Sequence, residues 1–250
     1  MRSILFTLIV VLSLTLSASA ESLRVVTEEW PPYNHTVHGI VGGLATEAVR
    51  AVLERAGLDY TIESLPWARA YSLAQHEPWV MVYSILRVQD REPLFQWVVL
   101  EGMDVGMHLF RPKSRREIRI KTLDDAKAYR VGVTRQSSPH HFLLSRGFVE
   151  NANLFPVNNA RLNLLKSKSH HKRIDLIASD PSSLELRSRQ EGLPSDYWVR
   201  LIPLFHDDLC MAFSLKTPEA LVERVRRAYA QVRAEGGLDA ILARFRQLSR

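Results

Sequence analysis

The sequence predicts an α/β protein with two lobes, each a mainly parallel sheet flanked by helices. Apolar strand-like runs alternate with amphipathic helix-like runs between Leu23 and Leu86, and a second alternation runs from Arg130 to Gln190. A last strand-like run, Leu209–Ser214, precedes two closing helical patterns. We expect this strand to return the chain to the first lobe, which gives two hinge crossings. The expected bounds are 1–20 for a signal peptide, 21–109 plus 210–250 for lobe 1 and 110–209 for lobe 2.

The first lobe is predicted by a β-α-β-α-β order. Parallel strands with crossover helices follow from such an order. A helix after Gly42-Gly43 carries an apolar stripe on one face, and Pro31-Pro32 ends the first strand. The predicted elements are the strands Leu23–Thr27, Tyr60–Leu65 and Val80–Ser84, the helix from Gly43 to Ala56 and the helix Trp67–Gln75.

The second lobe is predicted by a similar order. Its expected strands are Asp104–Phe110, Arg130–Thr134, Phe155–Val157 and Ile174–Ser179. Short helices are expected at Leu123–Ala126, around Phe142–Ser145 and after Pro181. Thr217 is the expected N-cap of the first closing helix, with Pro218 at its first position.

The first 20 residues have the pattern of a cleaved secretory signal. Arg2 gives a positive start, Ile4–Leu16 is apolar, and Ala18-Ser19-Ala20 is a small-x-small cleavage site. The apolar stretch is short for a membrane span. Cys210 is the sole cysteine, so no intramolecular disulfide is possible. These features predict a mature protein in the bacterial periplasm.

Composition and motifs argue against several functions. The formal charge of +6 is spread along the chain, and nucleic acid is a poor partner for an exported protein. The adjacent pairs His140-His141 and His170-His171 point to different sides of a helix or strand, and no zinc-type spacing occurs. A Gly-rich phosphate loop and a Gly-x-Ser-x-Gly motif are also absent. We expect no metal and no other cofactor.

The segment after the strand Val80–Ser84 predicts an anion site. Ligands of open α/β sheets gather beyond the carboxyl ends of strands. Ser84 ends this strand, and Arg87 and Arg91 follow it. A guanidinium group donates in a fork that suits a carboxylate. The alternative is a weak surface ion pair with a neighbouring acidic residue.

Three further loops follow predicted strands. Trp30-Pro31-Pro32-Tyr33 holds two aromatic rings that suit apolar or cationic ligand groups, or that pack in a surface loop. Ser137-Ser138-Pro139 opens a helix, with Ser138 as the expected N-cap, and helix N-termini favour anions. Asp180 before Pro181 either binds an ammonium group or only caps its helix.

In order along the chain, these motifs resemble the polar amino-acid-binding proteins of bacterial ABC importers, which have the type II periplasmic-binding fold. The resemblance covers nearly all of the mature chain. It includes Val25–Tyr33, the Gly42 helix, Ser84–Arg91 running into Phe95-Gln96-Trp97, Val131-Gly132-Val133, Arg173-Ile174-Asp175 with Asp180, and the helices after Pro218.

The resemblance implies a role for each matching residue. Arg91 would bind a carboxylate, Asp180 an ammonium group, and Trp30 would cover the ligand. The other implied contacts are Ser84, Ser137, Ser138, and, from a less studied branch of the family, Trp67 and Arg87. The chain departs from the family pattern at Gln136-Ser137-Ser138, where Gly-Thr-Thr is usual, and at Val88-Gln89, where Thr-Pro is usual.

The function that the resemblance implies is capture of a small amino acid or related carboxylate for ABC-type uptake. The protein would be a non-enzymatic monomer with an inner-membrane permease as partner. Two alternatives stay open at this point. One is a ligand-sensing partner of a membrane receptor. The other is an enzyme similar to cyclohexadienyl dehydratases, with Glu28, Glu29 or Asp180 as a general acid.

Overall fold

The computed structural model describes residues 22–168 and 173–248, with side chains to residue 244. The proposed signal peptide and the pair His170-His171 lie outside the described residues. The strands are β1 (Leu23–Thr27), β2 (His35–Val37), β3 (Ile40–Gly42), β4 (Tyr60–Ser64), β5 (Val80–Leu86), β6 (Phe95–Pro112), β7 (Val131–Thr134), β8 (Leu154–Val157), β9 (Leu176–Ser179) and β10 (Trp198–Ser214). The α-helices are α1 (Leu44–Arg55), α2 (Trp67–His76), α3 (Ser138–Ser145), α4 (Ala160–Lys168), α5 (Pro181–Gln190), α6 (Glu219–Ala234) and α7 (Gly237–Leu248).

The main sheet has eight strands in the order β4-β1-β5-β10-β6-β9-β7-β8. At one end β1 pairs in parallel with β4 and β5, and at the other β7 pairs in parallel with β8 and β9. Between these sets, β10 and β6 run antiparallel to each other and to their outer neighbours. Two parallel sets joined by a long antiparallel pair therefore confirm the predicted two-lobed α/β class.

The joining strands β6 and β10 are much longer than the predicted segments Asp104–Phe110 and Leu209–Ser214. They have 18 and 17 residues and pair from Phe95 opposite Ser214 to Pro112 opposite Trp198. In β10 only the last six residues are buried. The run of apolar residues therefore indicated only the part of β10 that lies in the core of the first lobe, and the predicted strand was too short.

Each lobe has its own core. In the first lobe, α1 and α6 cover one face of the sheet around Met81 and Phe213, and α2 covers the other around Val82. In the second lobe, Leu143 of α3 packs against β7 and β9. Each fully buried aliphatic side chain of this kind contributes roughly 1.5–3 kcal/mol relative to an exposed one. Cys210, the sole cysteine, is buried in the first lobe.

Two helix starts differ by one residue from the prediction. Ser137, not Ser138, is the N-cap of α3, and Pro218, not Thr217, is the N-cap of α6. Proline lacks an N–H group and fits any position of the first turn, so it does not fix the cap. Helix α4 was not predicted, because buried positions such as Asn163 and Ser167 are polar and leave no apolar stripe.

Candidate functional site

A cavity of about 60 Å³ lies between the two lobes, at the carboxyl ends of the parallel strands. This is the position that open α/β sheets use for ligands. The first lobe contributes residues after β1 and at the end of β5, and the second contributes residues after β7 and at the end of β9. The lining includes Glu28, Trp30, Trp67, Ser84, Met107, Thr134, Ser137, Ser138, Ser179, Asp180 and Arg187.

Arg91 lies directly behind this lining, in a 3₁₀ turn at Gln89–Leu94. Its side chain is 1% exposed. The Nη1 atom donates to Ser138 Oγ at 2.7 Å, and Nη2 donates to the Gln136 carbonyl. Burial lowers the pKa of Arg91 to about 10, so the group remains cationic at neutral pH. Arg91 therefore places a positive charge beside the start of α3.

The rings of two aromatic residues support this guanidinium group. Arg91 Cζ lies 5.5 Å from the centroid of Trp67 and 5.0 Å from that of Tyr71. Such cation–π contacts stabilise a charge that has lost water. Trp67 also donates its Nε1 hydrogen to the Gln136 carbonyl at 2.7 Å. Arg91 and Trp67, both in the first lobe, thus donate to the same carbonyl of the second lobe.

The hydroxyl group of Ser84 lines the cavity and is free to bind a ligand. Ser84 is 2% exposed, and its hydroxyl has no hydrogen-bond partner among the described residues. Ser84 also has a φ of +57°, which is uncommon outside glycine. An unpaired buried hydroxyl costs roughly 1–3 kcal/mol. A ligand acceptor or donor at this point would recover that free energy.

Asp180 accepts hydrogen bonds from both lobes. Trp30 Nε1 donates to Oδ2 at 2.8 Å, and the Tyr33 hydroxyl donates to Oδ1 at 3.3 Å. The backbone N–H of Ser183 also donates to Oδ1 at 2.8 Å, so Asp180 is the N-cap of α5. Burial raises the pKa of this carboxyl. Capping is therefore observed, and contact with a ligand ammonium group stays a prediction.

The aromatic loop before Asn34 is held against the start of α1. Leu44 N and Ala45 N donate to the carbonyls of Pro32 and Tyr33 at 3.2 and 2.8 Å. Gly43 has a φ of +111°, and a Cβ there would lie 2.6 Å from the Tyr33 carbonyl oxygen. Glycine at this position therefore allows the loop to place Trp30 over the cavity.

Arg87 is not brought to the cavity. It forms a bidentate ion pair with Glu92, and both side chains are 40% or more exposed. Its Cζ lies 5.9 Å from the Trp97 centroid. The sequence left two interpretations of these arginines open, an anion site and a surface ion pair. Arg87 forms the surface ion pair, whereas Arg91 is buried.

Two charged residues of the cavity were missed as ligand contacts. Glu28 directly follows β1, and burial raises its pKa to about 7 despite the nearby charges of Arg187 and Arg91. Arg187 extends from α5 and donates to the Glu29 carbonyl at 2.6 Å. The strand-end rule applied to β1 points to Glu28. Arg187 carries no sequence signal, because it resembles any exposed arginine of a polar helix.

Within residues 22–168 and 173–248, no group of three or more His, Cys, Asp or Glu side chains has an arrangement that could hold a metal ion. Nor does any helix in those two ranges have the length and apolar character needed to cross a membrane.

No protein-family model matches the chain, and no curated protein is significantly similar to it in sequence. Solved structures do match. A histidine kinase sensor domain with similarity to periplasmic binding proteins has a TM-score of 0.77 at 18% identity, covering 90% of this chain and 95% of that one. The arginine-, lysine-, histidine-binding protein ArtJ from Geobacillus stearothermophilus has a TM-score of 0.75 at 15% identity, covering 90% and 94%.

A third match is an ancestral arginine-binding protein bound to arginine, with a TM-score of 0.75 at 17% identity, covering 89% of this chain and 97% of that one. At such identities the similarity establishes the fold. The chain therefore has the two-lobed α/β fold of the periplasmic binding proteins.

Proposed function

We propose that this protein is a periplasmic solute-binding protein that captures a small amino acid or related carboxylate for ABC-type uptake. The observation that carries the proposal is the buried cationic Arg91, which donates to Ser138 at the start of α3, together with the unpaired hydroxyl of Ser84, which lines the same cavity as Ser138. A carboxylate in the cavity would meet a guanidinium charge, a helix N-terminus and a hydroxyl donor within one small region. Charge-assisted contacts of this kind are the stronger class of hydrogen bond.

Closure of the two lobes would bring these groups together. Direct contacts between the lobes join Arg91 and Trp67 to the Gln136 carbonyl, and Trp30 to Asp180. A ligand shifts the balance between open and closed forms only by its preference for the closed form. In this proposal residues 21–109 plus 210–250 and residues 110–209 move as two units, with β6 and β10 as the hinge strands.

The structural neighbours support a binding role. ArtJ and the ancestral arginine-binding protein are named for amino acids, and another match is an ABC uptake transporter substrate-binding protein with bound histidine. For this chain we propose export through a cleaved signal at residues 1–20, a monomeric state and an inner-membrane permease as partner.

The similarity to a histidine kinase sensor domain favours a second candidate, presentation of the ligand to a membrane receptor. Deletion of the gene separates the two roles. Loss of radiolabelled ligand uptake supports transport, whereas intact uptake with loss of a ligand-dependent transcriptional response supports sensing. An enzymatic role requires turnover, so a prephenate-like compound incubated with the protein should stay unchanged.

A thermal-shift screen of the common amino acids and small carboxylates tests the binding role. A true ligand stabilises the native state by mass action and raises Tm. Isothermal titration calorimetry then measures Kd and stoichiometry for each compound that does so. The proposal fails if no compound of the panel raises Tm and calorimetry detects no binding.

A further inference from the structure

The turn between β7 and α3 receives two of the contacts that join the lobes. The Gln136 carbonyl accepts from Arg91 Nη2 and, at 2.7 Å, from Trp67 Nε1, and both donors belong to the first lobe. Gln136 has a φ of +61°, in the left-handed region that residues with a Cβ seldom adopt. Such a conformation persists only where surrounding contacts hold it. The contacts that hold Gln136 therefore determine whether its carbonyl faces the first lobe.

The imidazole ring of His140 supplies one of these contacts. The backbone N–H of Gln136 donates to His140 Nδ1 at 3.1 Å. The other ring nitrogen, Nε2, lies 2.9 Å from Glu150 Oε1. His140 belongs to the first turn of α3 and is 2% exposed. It therefore connects the Gln136 backbone to a carboxylate inside the second lobe.

These two contacts fix the protonation state of the ring. A backbone N–H group can only donate, so Nδ1 is the unprotonated nitrogen that accepts from Gln136. An ionised carboxylate can only accept, so the ring hydrogen that faces Glu150 is on Nε2. A proton added to Nδ1 would place two donors face to face. The contact with Gln136 therefore requires a neutral His140.

The charged and titratable groups around the ring act in both directions. Burial lowers the pKa of His140 below its ordinary value of 6.5. Glu150 opposes this shift, whereas the positive charges of Arg135 and Arg91 add to it. Arg135 also lies 3.6 Å from Glu150, which offsets part of the attraction of that carboxylate for a protonated ring. Burial lowers the pKa of the neighbouring His141 to about 4, so this second ring remains neutral where an ordinary histidine titrates.

Arg91 couples the charge of His140 to the closure of the lobes. Arg91 belongs to the first lobe and His140 to the second, so a protonated ring meets the full repulsion of the guanidinium group only when the lobes are together. The start of α3 also contacts the first lobe through His141, whose ring centroid lies 6.3 Å from that of Tyr71. Closure therefore lowers the pKa of His140. By linkage, protonation of His140 opposes closure to the same extent.

We propose that His140 is a positioning residue of the closed cleft, and that its protonation opens the cleft. Neutral His140 holds Gln136 so that the carbonyl receives Arg91 and Trp67. Protonated His140 removes the acceptor of the Gln136 N–H and turns a positive ring toward Arg91. A carboxylate bound between the lobes would then be released in acid. That release is a regulation of the proposed binding site and rests on the proposed function.

The sign of the pH dependence follows from the direction of the shift. A histidine whose pKa is lowered in the native state favours that state above the unfolded value of 6.5. This contribution is lost as the pH falls through the lower native value. The contacts of Gln136 with the first lobe should therefore be complete at pH 7.5 and weakened at pH 5.

Nuclear magnetic resonance tests the proposal without a ligand. Long-range ¹H–¹⁵N spectra should show Nδ1 of His140 unprotonated at pH 7.5. The indole N–H cross peak of Trp67, assigned with Trp67→Phe, reports the bond to the Gln136 carbonyl. We expect this peak and the His140 ring to titrate with one shared midpoint below pH 6.5. An Nδ1–H tautomer at pH 7.5, or a Trp67 peak that does not move between pH 7.5 and pH 5, overturns the proposal.

Two substitutions at position 140 separate the acceptor from the charge. His140→Asn keeps an acceptor near the Nδ1 position and cannot be protonated, so the Trp67 peak should keep its pH 7.5 position throughout. His140→Leu removes the acceptor, and the peak should move toward its low-pH position at every pH. The matched control is His76→Gln, which removes an exposed histidine at the end of α2 and should leave the titration unchanged. Far-UV circular dichroism confirms folding, and His140→Asn decides alone if His140→Leu is not folded.

Glu28 is the competing source of a titration in this range, since it lines the cavity with Trp67 and its pKa is about 7. A Trp67 titration that survives in His140→Asn would belong to Glu28 and would overturn the role of His140. The ligand screen is a separate measurement. Binding without a His140-dependent titration overturns this inference and leaves the proposed function standing. A His140-dependent titration with no compound bound overturns the proposed function and supports the proton-dependent contact between the lobes.

Discussion

The guanidinium group of Arg91, from the first lobe, donates to the hydroxyl of Ser138, in the second lobe, across 2.7 Å. The residue proposed to hold a ligand carboxylate therefore also joins the lobes at the first turn of α3. A carboxylate bound here would attach to both lobes through one cation. Binding and closure would then share the same hydrogen-bonding groups.

Arg91→Ala should reduce ligand affinity by about 30-fold or more, because truncation of one partner of a buried charge pair costs about 2–5 kcal/mol. Calorimetry with a confirmed ligand measures the change. The matched control is Arg87→Ala, which removes an exposed arginine four residues earlier and should change Kd by less than about 3-fold. Comparable losses in both variants would contradict the inward role of Arg91.

Ser84→Ala should weaken ligand binding while leaving the free protein as stable or more stable. The substitution removes a buried hydroxyl without a partner, and we expect a gain of up to about 1 kcal/mol in the free energy of unfolding. Urea denaturation and calorimetry give the two quantities. A less stable protein with unchanged affinity would show that the hydroxyl serves the fold instead.

Asp180→Asn separates capping from ligand binding, since asparagine is also a good N-cap. The cap on Ser183 should be kept, but Trp30 Nε1 loses its acceptor because an amide N–H₂ group cannot accept at the Oδ2 position, and we expect a loss of roughly 1–3 kcal/mol in the free energy of unfolding. Affinity for amine-bearing ligands should fall more than affinity for carboxylates that lack an amine, because only the former lose a charge-assisted contact. The calorimetric comparison uses one ligand of each kind, and equal losses for both would limit Asp180 to capping α5.

Asp175 should make the second lobe sensitive to acid. Its carboxylate pairs with Arg115 at 2.7 Å and Arg130 at 2.8 Å, and these arginines lower its pKa to about 2 from an ordinary 3.8. A depressed carboxyl pKa stabilises the native state above the unfolded pKa, and the contribution is lost as the pH falls from about 4 through about 2.

Asp175→Asn should therefore lower the free energy of unfolding by about 2 kcal/mol at pH 7, since the shift of its pKa from 3.8 to about 2 measures the stabilisation that the two arginines give the carboxylate. The deficit relative to the unchanged protein should shrink as the pH falls toward 2. Urea denaturation from pH 7 to pH 2.5 measures it. A deficit that does not vary with pH would assign the loss to packing.

Local pattern predicted the strands and helices whose inner positions are apolar. It failed where the inner positions are polar, as in α4 around Asn163. It also failed where a strand leaves the core, as in the first eleven residues of β10. Hydrophobic periodicity reports burial against apolar neighbours, so elements without such burial give no signal.

The candidate site divides in the same way. The strand-end rule located Ser84, Trp30 and Asp180, because the positions of these residues follow from the β-α-β order. The same rule treated Arg87 and Arg91 alike. In the structure the 3₁₀ turn at Gln89–Leu94 holds Arg91, which donates to Ser138 of α3, whereas Arg87 lies before that turn and pairs with Glu92.

The amino-acid order alone determined the α/β class, the two sets of parallel strands and the loops that follow them, because these depend on short-range periodicity and turn chemistry. Tertiary structure alone decided that Glu28 and Arg187, 159 positions apart in the chain, share one cavity, and that Asp180 accepts from Trp30. These contacts join different lobes. Their geometry depends on how two separately formed cores come together, which no local pattern records.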